Sequence, residues 1–114
     1  MTLDWPTIAA FCESLNGVVL KSNFGKPEAR VNQRAFAGVS TFDDSFFIAL
    51  DRDRIATLMA EAPETFWQTA GMSGWPVAHV HYDSPNRALV LEAVREAYDW
   101  TIAQPPLRRR APRG

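Results

Sequence analysis

Residues 18–50 read VVLKSNFGKPEARVNQRAFAGVSTFDDSFFIAL, and no helical period of apolar side chains runs through them. Short runs rich in β-branched and aromatic residues (VVLKS, ARV, AFAGVST, SFFIAL) alternate with turn formers (NFGKPE, NQ, FDD). Gaps of two to six residues suit hairpins, whereas parallel strands need crossovers of about a dozen residues or more. The segment therefore predicts a meander of antiparallel strands. Val31-Asn32-Gln33-Arg34-Ala35 predicts a tight hairpin centred near Asn32-Gln33, and Phe36, Phe46, Phe47, Ile48 and Leu50 supply bulky core material.

On either side of the meander the period changes to that of a helix. Upstream, Asp4 is placed to cap a helix over residues 4–15, with Ile8, Phe11, Cys12 and Leu15 on one face, and Asn16-Gly17 is a natural stop. Downstream, Asp51 starts a second helix carrying Ile55, Leu58, Met59 and Ala62, which Pro63 interrupts. Residues 64–75, ETFWQTAGMSGW, predict a short helical turn followed by a loop. Val77 to Tyr82 predicts a strand, with Val77, His79 and His81 on one face and Ala78, Val80 and Tyr82 on the other. Ser84-Pro85 is a helix start, a capping side chain followed by proline at the first helical position. Val90 or Leu91, Val94, Tyr98 and Ile102 then mark a face that ends before Pro105-Pro106.

The expected architecture is α+β: an antiparallel sheet with the N- and C-terminal helices packed on one face and the other face open or partly open. Residues 1–104 form one domain on this reading, and 105–114 a flexible Pro/Arg-rich tail. With 114 residues, 46% apolar and 22% charged, the chain is close to an average globular protein and large enough to fold without disulfides or structural metal.

Charge is unevenly divided. Arg108, Arg109, Arg110 and Arg113 fall in the last seven positions without an acid among them, so residues 1–107 hold eight Lys/Arg against thirteen Asp/Glu, a net −5 that the whole-chain −1 conceals. An acidic body lowers the expectation of nucleic-acid binding, which usually shows a basic footprint. Cys12 is the single cysteine, so a disulfide within the chain and a cysteine-based metal cluster are excluded. The N-terminal stretch lacks the pattern of a secretory leader, and no run reaches the ~18 apolar residues of a membrane span. A cytoplasmic protein with no membrane partner is the expectation.

Across residues 4–103 the chain resembles the MmcQ/YjbR-like family of small bacterial proteins. The resemblance is carried by Phe11-Cys12 with Leu15, Phe24-Gly25 after the first strand, Arg34 and Phe36 in VNQRAFAGVS, Trp75 before a strand, and Tyr98 in the last helix. It implies a CyaY or frataxin-like fold, described for the family as a double-wing DNA-binding motif. Two departures stand out: Arg34 occupies a position where the family usually has Lys, and Met72-Ser73-Gly74 replaces a more basic stretch.

The chemistry-bearing residues give no catalytic set. Asn23-Phe24-Gly25-Lys26-Pro27 lacks the first glycine and the Ser/Thr of a phosphate loop, and Gly71-Met72-Ser73-Gly74 is one residue short of a nucleophile elbow. Asp43-Asp44 and Asp51-x-Asp53 suit turns and helix caps. His79 and His81 share a strand face, a spacing that lets two imidazoles converge on a metal with Asp43 or Asp44 as a third ligand. A site needs three or four ligands, so the favoured reading is two polar residues on the solvent side of the sheet, with no metal and no cofactor. Trp75, with Trp67 and Phe66, either walls a groove or caps the open end of the core. Arg34 is the residue placed to meet a polar partner, and Arg108, Arg109 and Arg110 form an electrostatic aid whose DNA contacts would be weak and salt-dependent. The sequence thus predicts a non-enzymatic binding protein. DNA is its first candidate partner, bound through Arg34 and the tail. A protein-interaction or small-ligand module lined by Trp67, Trp75 and His79 is the alternative.

Overall fold

The computed structural model describes residues 3–105, which form a six-stranded antiparallel sheet with three helices. In chain order these are α1 (Trp5–Glu13), β1 (Val19–Asn23), β2 (Lys26–Val31), β3 (Arg34–Val39), β4 (Ser45–Ala49), α2 (Arg52–Glu61), β5 (Phe66–Trp67), β6 (Val77–His81) and α3 (Arg87–Ile102). The sheet order is β1-β2-β3-β4-β6-β5. Its first four strands are the expected meander. The tail arginines Arg108, Arg109 and Arg110 lie outside the described residues.

The first two hairpins turn on two residues each. Phe24 and Gly25 join β1 to β2 with φ of 52° and 77°, and Asn32 and Gln33 join β2 to β3 with φ of 52° and 68°. Two consecutive left-handed residues give the turn whose twist matches that of the flanking strands. Asn and Gly adopt that conformation readily; Phe24 and Gln33 do so at a cost.

Strand alternation sends Ala29, Ala37, Phe46, Ile48, Ala78 and Val80 to one face, where all are buried. A bulge adds to that face: Ala29 pairs with Ala37 but Arg30 with Ala35, so Phe36 is an extra residue on β3. The bulge lets Phe36 and Ala37 both point inward, and the Phe36 ring meets Tyr98 edge-on with centroids 5.7 Å apart.

All three helices cover this face. α1 contributes Ile8 and Cys12, α2 Ile55 and Leu58, and α3 Val90, Ala93, Val94, Ala97 and Tyr98 to one core. Alanines one turn apart on α3 let it lie close against the sheet. Asp4 caps α1 through the Thr7 amide, and Asp51 caps α2 through the amides of Asp53 and Arg54. Arg54 and Glu96 form a two-pronged ion pair, at 2.9 and 3.1 Å, between α2 and α3. The N- and C-terminal helices on one face are as expected from the sequence.

Four details differ from the sequence reading. Within 64–75 the chain forms the short edge strand β5 before a 3-10 turn at Ala70–Met72, not a helical turn followed by a loop. Phe66 reaches the core from β5 by pairing with Val80, a tertiary contact no local pattern announces. α3 begins at Arg87 rather than at Pro85, because the Ser84 hydroxyl is occupied by Thr65 (2.7 Å) and the Asn86 amide (3.0 Å) and caps no helical N–H. α1 ends before Leu15, which still packs against the core, and Ile102 is exposed rather than part of the buried face of α3.

Candidate binding surfaces: the sheet face and the basic hairpin

The face away from the helices is organised by one row of side chains across six strands. Register aligns Lys21, Glu28, Gly38, Phe47, His79 and Trp67 in sequence from β1 to β5. Gly38 is required in that row, since a Cβ built there would lie 2.5 Å from Phe47 Cε2 and 2.8 Å from Glu28 Cβ. Glu28 is buried and ion-paired with Arg30.

At the β4-β6-β5 end the row becomes an aromatic and imidazole cluster. The Trp67 ring lies 4.5 Å from that of His79 and stacks on His81 at 5.5 Å. Phe42, from the loop after β3, meets Trp67 and His79 edge-on at 4.9 and 5.1 Å. His79 is therefore only 8% exposed, which corrects its expected place on the solvent side of the sheet: Phe42 and Trp67 cover it. Its Nδ1 lies 3.0 Å from Ser40 Oγ, and burial pushes its pKa below the ordinary histidine value, partly offset by the Asp44 charge.

Ser45 ties the rest of the cluster together. Its hydroxyl accepts from Trp67 Nε1 at 3.1 Å and lies 3.0 Å from Asp44 Oδ1 and 3.2 Å from His81 Nδ1. Asp44 Oδ2 is 3.4 Å from the same His81 Nδ1. A hydrolytic relay needs serine and carboxylate on opposite imidazole nitrogens. Here both meet one nitrogen, and Ser45 is buried. The group is built as a polar clasp that holds an aromatic edge strand. Among the described residues no three His, Cys, Asp or Glu side chains gather as metal ligands.

The other residues singled out from the sequence do not join this cluster. Trp75 is 56% exposed and outside the core; its carbonyl accepts from Gln68 Nε2 at 3.2 Å. Arg34 is partly buried at the C-terminal end of α3, where its guanidinium donates to the Pro105 carbonyl at 2.8 Å. It faces a concavity of about 500 Å³ shared with Asn32, Gln33, Thr101, Ile102, Gln104 and Pro105. Cys12 is buried, and desolvation pushes its thiol up to about 12, so it is a packing residue.

A second feature escaped the sequence reading. Residues 14–42 hold Lys21, Lys26, Arg30 and Arg34 against the single acid Glu28, whereas the rest of 3–105 holds four basic residues against twelve acids. The sheet thus has a basic end made of β1–β3 within an acidic body. At the turn of its first hairpin stands Phe24, 99% exposed and left-handed, with Lys21 and Lys26 also exposed beside it. A large aromatic in a costly conformation with no contact to its own fold marks a position held for something other than stability.

Comparison with family models, with curated proteins and with solved structures gave no match. No helix among the described residues is long and apolar enough to cross a membrane.

Proposed function

We propose that this chain is a non-enzymatic binding domain of the MmcQ/YjbR type that meets DNA through the hairpins of β1–β3, with the arginines at 108–110 as an electrostatic aid. The observation that carries the reading is the uneven charge along the chain: β1–β3 hold Lys21, Lys26, Arg30 and Arg34 against Glu28, and Lys21 and Lys26 are exposed on either side of the exposed Phe24 at the first turn. An overall charge of −1 then opposes binding far less than it would if the charges were mixed, because screening confines each phosphate's view to roughly 8 Å at physiological salt. Phe24 supplies the apolar element, a side chain of the kind that wedges between base steps in the minor groove. Arg34 holds a backbone carbonyl and is one bond short of free, so Lys21 and Lys26 are the principal phosphate contacts.

The test is fluorescence anisotropy with a labelled duplex at ~50 mM salt, where phosphate-led binding is strongest. The parent protein should bind, and Lys21→Glu with Lys26→Glu should weaken binding by tenfold or more. Arg52→Glu, a reversal on the acidic part of the body, should change it little. Phe24→Asn should weaken binding while making the fold more stable, since Asn tolerates a positive φ and Phe24 has no packing to lose. No binding by the parent, or equal losses from the hairpin and Arg52 reversals, would remove the proposal.

A further inference from the structure

A concavity of about 420 Å³ opens where the start of α1, the loop before β4 and the end of β6 meet, lined by Leu3, Asp4, Trp5, Val39, Asp43, Asp44, Tyr82 and Asp83. Its size is that of a small-molecule pocket. Its floor is apolar and aromatic: Leu3 is buried, and Trp5 and Tyr82 both pack on Phe46, with centroids at 6.5 and 5.3 Å. Every charged residue in the lining is an acid.

The carboxylates differ in what they are free to do. Asp4 holds the Thr7 amide and feels Arg87, which together keep its pKa below the usual carboxylate value. Asp44 is engaged by Ser45 and His81. Asp43 and Asp83 are exposed and make no hydrogen bond or ion pair among the described residues. The Tyr82 hydroxyl stays protonated, its pKa pushed up to about 12 by burial and then by Asp4.

We infer that this pocket binds a free small organic cation, an amine carried on an aromatic or branched apolar frame. An anion would meet four carboxylates and no lining base. A hard metal ion wants six or more oxygens at short range, and two uncommitted carboxylates above an apolar floor do not supply them. An organic ammonium matches both halves: its frame covers Trp5, Tyr82, Val39 and Leu3, and its charge lies between Asp43 and Asp83 and over aromatic faces. The site shares no residue with the DNA contacts proposed above, so it stands or falls independently.

Phenethylammonium, 2-phenylethanol and a lysine-containing tripeptide serve as probes, followed through the Trp5 indole N–H and the Asp83 amide in 1H–15N NMR spectra of the full chain. The ammonium should shift these signals and saturate at ~1 mM or below, with the neutral alcohol at least tenfold weaker. Asp43→Asn with Asp83→Asn should reduce ammonium affinity by about fivefold or more, with the rest of the spectrum unchanged. Equal binding of alcohol and ammonium would reduce the site to an apolar dent. Tighter binding of the tripeptide would assign it to a protein partner. Shifts elsewhere, or none at ~10 mM, would overturn the inference.

Discussion

Gly38 shows how one residue shapes the sheet face. Its missing Cβ lets the Phe47 ring lie across β3 toward Glu28, closing the face above an ion-paired acid. Gly38→Ala should cost about 1–3 kcal/mol, the usual range for forcing a methyl into a packed site, read from the shift in urea midpoint. His79 carries a pH dependence of definite sign. Its folded pKa lies below the ordinary value of about 6.5 because burial outweighs the Asp44 charge. The unfolded chain therefore takes up the proton first, and the stability that His79 contributes is complete above pH ~6.5 and is lost as the pH falls toward the folded pKa. His79→Gln, which keeps a partner for Ser40, should show a flatter dependence of the urea midpoint between pH 7 and 5 than the parent; an equally steep one would contradict this. The need for glycine at 38 was not legible beforehand, and of His79 only its strand and face were. The sequence places His79 on a strand face correctly but is silent on Phe42, which reaches it by a loop whose path is fixed only by the fold.

At the scale of elements, the hairpins are where sequence and conformation pull against each other. Asn32-Gln33 was legible as a turn because two polar residues separate two strand-like runs, yet Gln33 is left-handed and lacks the glycine that the second position favours. Gln33→Gly should raise stability by up to about 1 kcal/mol, measured by thermal unfolding; a loss would show that the Gln33 side chain makes a contact worth more than its strain. The amphipathic helices and the meander were readable because their periods differ, 3.6 against 2. β5 was not, since two residues show no period and their partners, Val80 for Phe66 and His79 for Trp67, lie well downstream beyond a turn. The start of α3 was misplaced because Ser84 has a better partner in Thr65 than a helical amide.

For the whole molecule, the single core was legible in outline and the surface proposed to meet DNA only in part. The place of Arg34 at a hairpin is legible in the sequence, but its bond to Pro105 spans a separation that no local pattern reports. Phe24, Lys21 and Lys26 carry no such signal, because NFGK reads only as a turn and a division of charge between body and tail averages the two lysines into an acidic body. Counting charge strand by strand would have found the basic end from sequence. The proposal that this end contacts DNA makes a quantitative claim about salt. Each phosphate contact contributes about −0.9 to the slope of log K against log salt. The measurement that tests it most directly is that slope for the full chain and for one ending at Leu107, both titrated with duplex DNA. The truncated chain should still bind, with a slope of about −2 to −3 from Lys21, Lys26 and Arg34, and the tail should steepen it by about 3. Loss of all binding on truncation would show that the tail arginines alone hold DNA and that the hairpins do not.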